Sequence, residues 1–225
     1  MMNKLTYFSD GTETCFLFNL PFNDWLVEHA GNIYLITDNH LFSLYKSAIQ
    51  PIQHYIINAG ESHKTFETVQ LILQDMLDQK IDRSVMIVGM GGGVVTDIAG
   101  FVSAIYKRGT NLTLIPTSLL GMVDAAIGGK NGVNAGLYKN VIGTIHQPNN
   151  IIFDYNLLDT LPESEWRSGM AEIIKHAVTL APSMIPQLRE HTIDSIKKNK
   201  NLLANIVEQN VRVKMDVVCR DSHDL

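Results

Sequence analysis

Three groups of residues in this chain have the types and spacing to do chemistry. In "MIVGMGGGVVTDIAGFVSAIYKRGT", residues 86 to 110, Gly89 and Gly91 to Gly93 follow an apolar run and precede a helix-like segment that contains Asp97. Backbone without side chains lets N–H groups approach a pyrophosphate, whose charge a helix N-terminus favours. The spacing departs from G-x-G-x-x-G, and no ribose-binding acid is evident about 20 residues downstream, so a tight strand-to-helix turn explains the glycines equally well. Asp38 ends the strand-like "IYLITD", where a carboxylate can accept from ribose hydroxyls or simply open a turn. In "PTSLLGMVDAAIGGKNGVNAGLYKN", residues 116 to 140, Thr117, Ser118, Asp124, Lys130, Asn134, Lys139 and Asn140 are set among glycines. Lysines with no apolar stripe to fix them on a helix face read as cations reaching for phosphate or carboxylate, with solvated loop lysines as the alternative. Val133, Leu137, Val141 and Ile142 speak for a loop packed in part on the core. In "GMAEIIKHAV", residues 169 to 178, Glu172 stands on an otherwise small and apolar helix, with Lys175 and His176 one turn further along. A carboxylate there needs an ion pair with Lys175 or His176, or a cation such as Zn²⁺. Catalytic zinc takes three protein ligands and this helix offers two, so the residues alone favour the ion pair.

These groups need elements to position them. Short β-branched runs at 32–38, 53–58, 84–90, 111–117 and 150–155 read as strands. Between them, Phe66, Val69, Ile72, Leu73, Met76 and Leu77 within 63–80 recur at the spacing of one helical face. Alternating helices and continuously apolar strands predict an α/β fold built on a mostly parallel sheet with both faces covered. After Tyr155 the spacing is helical throughout, which predicts a boundary near residue 157.

Composition narrows the partners. The 225 residues carry a net charge of −5 and only 18% charged residues, which argues against a nucleic-acid arm or a polybasic membrane patch and for a small molecule. Cys15 and Cys219 stand far apart without C-x-x-C spacing, and no long uninterrupted apolar run occurs; together these predict a reduced, unexported, cytoplasmic protein.

A longer run of motifs adds to this reading. "GESHKT" (60–65), "GGGVVTDIAGF", "YKRGT", "PTSLL", "VDAAIGGKNGVN", "YKNVIG", "QP", "LPESEWRSGMAEIIKH" and "VVCRD" occur in the order and with the spacings of the 3-dehydroquinate synthase family, which the chain resembles over most of its length. The resemblance implies a Rossmann-like NAD-binding domain over residues 1–157, followed by the start of an all-helical metal- and substrate-binding domain over 158–225. Asp38, Glu61, Lys64, Gly91, Gly92, Gly93, Asp97, Thr117 and Ser118 match positions that hold NAD, with Ser118 standing where a second threonine is common. Asp124 and Lys130 match positions that contact cofactor and substrate. Arg108, Lys139, Asn140 and Lys175 match positions that grip the phosphate, carboxylate and hydroxyls of the substrate, with Lys139 also near the cofactor; Lys130, Lys175 and Asp124 are the implied catalytic residues. Glu172 matches the first of three zinc ligands, which reverses the ion-pair preference and turns Lys175 to substrate. His176 falls where several residue types occur and is not expected to be a ligand.

The implied reaction converts 3-deoxy-D-arabino-heptulosonate 7-phosphate, a sugar phosphate, to 3-dehydroquinate and phosphate in the shikimate pathway. It proceeds by transient oxidation with NAD⁺, phosphate elimination, reduction by the same cofactor and aldol closure, with Zn²⁺ (or Co²⁺) as the metal and a homodimer as the expected assembly. Two departures stand out: "AGLYKN" replaces the family's "HPLGKN", and the other two zinc histidines fall beyond the position of Leu225, with His191 and His223 in the wrong contexts to replace them. An N-terminal fragment with little turnover and with apolar helix faces exposed in 158–225 is therefore expected. A different sugar-phosphate cyclase and a non-catalytic NAD-binding module are the alternatives.

Overall fold

A computed structural model describes residues 3–9 and 11–220; His223 lies outside the described residues. In chain order it contains β1 (Asn3–Ser9), β2 (Thr12–Phe18), α1 (Phe22–His29), β3 (Ile33–Asp38), α2 (Asn39–Leu44), α3 (Lys46–Ile49), β4 (His54–Ile57), α4 (Phe66–Asp78), β5 (Met86–Gly91), α5 (Gly93–Ile105) and β6 (Asn111–Pro116). There follow β7 (Lys130–Ala135), β8 (Tyr138–Ile145), β9 (Asn150–Phe153), α6 (Glu163–Thr179), α7 (Ile185–Glu190), α8 (Ile193–Lys198) and α9 (Lys200–Arg220). Seven strands form one sheet in the order β1-β2-β9-β6-β5-β3-β4, and β7 and β8 form a separate antiparallel hairpin. Within the large sheet only β1 runs antiparallel to its neighbour.

The continuous apolar strands have the predicted cause. Along β3, Tyr34 and Ile36 face one core while Ile33 and Leu35 face the other; β9 divides Ile151 and Phe153 from Ile152 in the same way. Both faces are covered there, so these inner strands need no polar side. On α4, Val69, Ile72 and Met76 are buried, while Phe66 and Leu77 are exposed, so the buried stripe is narrower than the spacing predicts.

Two elements escape the sequence reading. The β1–β2 hairpin has only an ordinary alternating pattern. The 130–145 segment, read as a loop, is the β7–β8 hairpin, its strand signal broken by Gly132, Asn134, Gly136 and Gly143. Gly132 and Gly143 face each other across it, and a Cβ on Gly143 would lie 2.2 Å from the Asn131 carbonyl oxygen, so glycine is what lets these backbones pair. From Tyr155 onward the described residues contain helices only. Their apolar faces join the sheet's own core, since Ile196, Leu203, Ile206, Val207, Val211 and Met215 share one buried cluster with Phe16, Val123 and Phe153. On α6, Ile174 and Val178 are exposed, as is Leu180 just after it.

Candidate functional site

The chain passes from β3 to the edge strand β4 and then crosses back to β5, on the other side of β3. Open parallel sheets form a crevice outside the strand carboxyl ends at such a reversal. A cleft of about 880 Å³ lies there, and Asp38, Glu61, Lys64, Gly92, Gly93, Asp97, Thr117, Ser118, Lys139 and Asn140 all line it.

The glycines divide into two jobs. Gly89 and Gly91 lie inside β5, where an added Cβ would sit 2.5 Å from Ala99 Cβ and 2.4 Å from Val95 Cβ, so these two allow α5 to lie close on the strand. Gly92 and Gly93 open α5 onto the cleft with no side-chain cap, which leaves the first-turn N–H groups to an incoming acceptor. Asp38 begins a turn as well as lining the cleft: one carboxylate oxygen accepts from Leu41 N at 2.9 Å and caps α2. Thr117 N donates to Gly91 O at 2.9 Å, fixing the end of β6 against β5. Ser118 Oγ accepts from Gly121 N at 3.1 Å and starts the π-helical turn Gly121–Ala125 that carries Asp124.

One wall of the cleft is tied to the hairpin. The buried Lys64 ammonium pairs with Asp97 and donates to Asn140 Oδ1 at 2.5 Å, while Lys64 O accepts from Asn134 N at 2.8 Å. Asn134 Nδ2 donates to Glu61 Oε1 at 2.9 Å, and Asn140 N donates to Asn134 Oδ1 at 3.0 Å. Burial pushes the Asp97 carboxyl up to about 6 against the pull of the Lys64 ammonium, with Glu61 and Asp124 adding to the rise. A neighbouring groove of about 550 Å³ shares Asp97 and Asn140 with the cleft and is lined by Lys130.

A second cluster joins α6, α9 and the π-helical turn. Glu172 Oε1 lies 2.7 Å from Lys175 Nζ and 3.0 Å from His176 Nε2, so the ion pair with Lys175 read from the residues does form. The hydrogen bond to Glu172 holds the Lys175 ammonium above its ordinary pKa. His176 is buried and its Nδ1 lies 3.1 Å from Oδ1 of Asn210, which is also buried. Lys214 Nζ lies 2.6 Å from Asp124 Oδ1. Ligand atoms of Asp124, Glu172 and His176 all lie within 4.8 Å of one another, an oxygen–oxygen–nitrogen set that suits Zn²⁺ or Co²⁺.

Arg108 is not brought to the cleft. It follows the C-terminal end of α5, exposed and with φ at 67°, and a helix of 13 residues puts it roughly 20 Å from the Gly93 end. Asn210 and Lys214 were missed by the sequence reading, because on α9 they look like ordinary polar positions of an amphipathic helix. Their partners, His176 and Asp124, are distant in sequence, and only their spacing of one turn hinted at a shared face.

A family model described as 3-dehydroquinate synthase N-terminal matches residues 54–168, and one described as 3-dehydroquinate synthase C-terminal matches residues 169–225. The 3-dehydroquinate synthase of Saccharolobus solfataricus is 40% identical over 199 residues, covering 84% of this chain and 56% of the relative. The chain thus spans about half the length of the curated relatives it matches. Among solved structures, 2-epi-5-epi-valiolone synthase from Streptomyces hygroscopicus subsp. jinggangensis, with NAD⁺ and Zn²⁺ bound, is similar with TM-score 0.82 and 26% identity, over 92% of this chain and 62% of that one. A 2-deoxy-scyllo-inosose synthase complexed with carbaglucose-6-phosphate, NAD⁺ and Co²⁺ is similar in fold, with TM-score 0.79 and 21% identity over 100% of this chain and 63% of that one. Matched by the N-terminal model over more than half its length and by the C-terminal model from there to residue 225, the chain belongs to the 3-dehydroquinate synthase family.

Proposed function

We propose that this chain is the NAD-binding part, with the first portion of the metal and substrate site, of an enzyme that converts 3-deoxy-D-arabino-heptulosonate 7-phosphate to 3-dehydroquinate and phosphate. The observation that carries the reading is the cleft at the β3/β5 reversal, which Asp38, Glu61, Lys64, Gly92, Gly93, Asp97, Thr117, Ser118 and Lys139 line together. Asp38 accepts from ribose hydroxyls with the carboxylate oxygen not spent on the α2 cap. The uncapped first turn of α5 takes the pyrophosphate, and Thr117 and Ser118 close the cleft floor. Lys139 and Asn140 at the rim, with Lys130 in the adjoining groove, bring cations and an amide to the anionic groups of a sugar phosphate. When bound, NAD supplies a hydride acceptor that also returns the hydride, and a divalent ion at Glu172 supplies Lewis-acid polarisation of a hydroxyl. Lys175, now on Glu172, is exposed enough to turn toward substrate once that carboxylate is otherwise engaged. A homodimer working in the cytoplasm is the setting proposed; no helix among the described residues is long and apolar enough to cross a membrane. The curated relatives favour dehydroquinate synthesis over the other cyclisations, since they share more identity with this chain than the valiolone and inosose synthases do.

Calorimetric titration with NAD⁺ tests the cofactor reading. Binding is expected, and Asp38→Asn, which keeps the helix cap but loses the charged acceptor, should weaken it about five- to tenfold. Absence of NAD⁺ binding overturns the proposal. This part alone is expected to release little phosphate from 3-deoxy-D-arabino-heptulosonate 7-phosphate, so the chemistry is tested on the enzyme that contains it together with the rest of the metal and substrate site: NAD⁺ binding there without phosphate release would leave a dinucleotide-binding module in place of an enzyme.

A further inference from the structure

We infer that Asn134 is a positioning residue that carries cofactor occupancy from the cleft to the β7–β8 hairpin, so that Lys139 and Asn140 are set for the sugar phosphate when the dinucleotide is bound. The inference deepens the reading above and rests on it, since it takes NAD to occupy the cleft that Glu61 and Lys64 line. The register of the hairpin shows where the link lies. Val133 pairs with Ile142 and Ala135 with Tyr138, so Asn134 alone stands opposite Lys139, Asn140 and Val141. β8 therefore bulges at the two residues it sends to the cleft, and Asn140 takes a φ of 56° there. Bulges re-aim side chains in this way beside binding sites.

Asn134 closes that bulge and ties it to the cofactor wall at the same time. Its Oδ1 accepts from Asn140 N at 3.0 Å, in place of a ladder bond between the strands. Its N–H leaves the hairpin to donate to Lys64 O at 2.8 Å, and the residue forms an isolated parallel bridge with Thr65. Its Nδ2 donates to Glu61 Oε1 at 2.9 Å. The amide oxygen meets a donor and the amide nitrogen a carboxylate, so the side chain has one orientation and neither bond survives a flip. What these bonds fix has freedom to lose: β8 is exposed along nearly its whole length, and a two-stranded hairpin is marginal by itself. A cofactor that holds Glu61 and Lys64 still therefore orders the bulge as well, and an anion arriving at Lys139 and Asn140 meets groups already in place. By linkage, each ligand then tightens the other.

Hydrogen exchange at residues 141–145, none of which lines the cleft, tests this with and without NAD⁺. Saturating NAD⁺ should slow exchange there by about fivefold or more in the unaltered chain. In Asn134→Ala and Asn134→Asp, NAD⁺ should still bind, as calorimetry would show, yet leave exchange at these residues nearly unchanged. Asn134→Asp keeps the acceptor for Asn140 N but sets a second carboxylate against Glu61. Adding Glu61→Gln supplies a donor again, and the swapped pair should recover the protection. A residue that only held the hairpin together would quicken exchange equally with and without NAD⁺. An NAD⁺ effect that persists undiminished in both Asn134 variants therefore overturns the inference and leaves the coupling to the Lys64–Asn140 bond. Should the variants fail to fold, the unaltered chain decides: NAD⁺ that binds without slowing exchange at 141–145 overturns the inference and leaves the cofactor reading standing, and a chain that binds no NAD⁺ overturns both.

Discussion

Asp97 is held in a position where burial and charge pull in opposite directions. Its carboxyl is pushed up to about 6 although the Lys64 ammonium touches it, because desolvation outweighs the pair. The unfolded chain would release this proton near 3.8. Between those values the native state binds the extra proton, so the contribution is fully present below pH 3.8 and is lost as pH rises through about 6. Two pK units correspond to about 3 kcal/mol. Urea midpoints measured at pH 4 and pH 7 should therefore fall further with rising pH for the unaltered protein than for Asp97→Asn. Equal pH dependence in the two would show that Asp97 is not perturbed. Sequence made Asp97 visible as a charge after the glycines, but its partner was not: Lys64 lies far upstream, and only the crossing of β5 and α5 over the 61–65 turn brings the two together. Asp38, Thr117 and Ser118 were easier to place, since each stands at a strand's carboxyl end where the parallel sheet itself puts it into the cleft.

Elements decide whether the lysines of residues 130–139 are solvated or positioned. They sit on the β7–β8 hairpin, and a two-stranded hairpin is marginal by itself, so its docking on α5 and on the 61–65 turn matters. Asn140 holds that docking with Oδ1 on Lys64 and its own N–H on Asn134, in a left-handed conformation at φ 56°. Asn140→Gly keeps the backbone easy and removes only the side-chain bond. Hydrogen exchange at residues 138–145 should quicken by about fivefold or more for a lost hydrogen bond to a charged group. Exchange at the same rate would mean that the strand register, not Asn140, holds the hairpin. The strand signal was illegible here for a physical reason: the glycines that permit close backbone pairing remove the β-branched pattern by which strands are recognised.

At the scale of the whole molecule, the helical segment beyond Tyr155 and the parallel sheet are bound by one core. Ile206, Val207 and Met215 of α9 are packed with Phe16 and Phe153 of the sheet, and Trp166 of α6 belongs to the same cluster. Trp25 lies on the opposite face, in the smaller cluster under α1 with Ile33 and Val88. The β3, β5 and β9 strands carry side chains to both clusters, so neither face can lose its packing without disturbing the other. The chain has only these two tryptophans, which makes each a reporter of one face. Urea unfolding of Trp25→Phe, followed at Trp166, and of Trp166→Phe, followed at Trp25, should each give a single transition coincident with the far-ultraviolet circular dichroism of that same variant. Ile206→Ala, which removes a fully buried side chain, should lower both midpoints together by the equivalent of about 2–5 kcal/mol. A fluorescence change at Trp166 that precedes the one at Trp25 would show instead that the helices form a unit of their own. In that case the Asp124–Lys214 and His176–Asn210 contacts would open before the cleft at the β3/β5 reversal does, and the two would belong to independently stable parts.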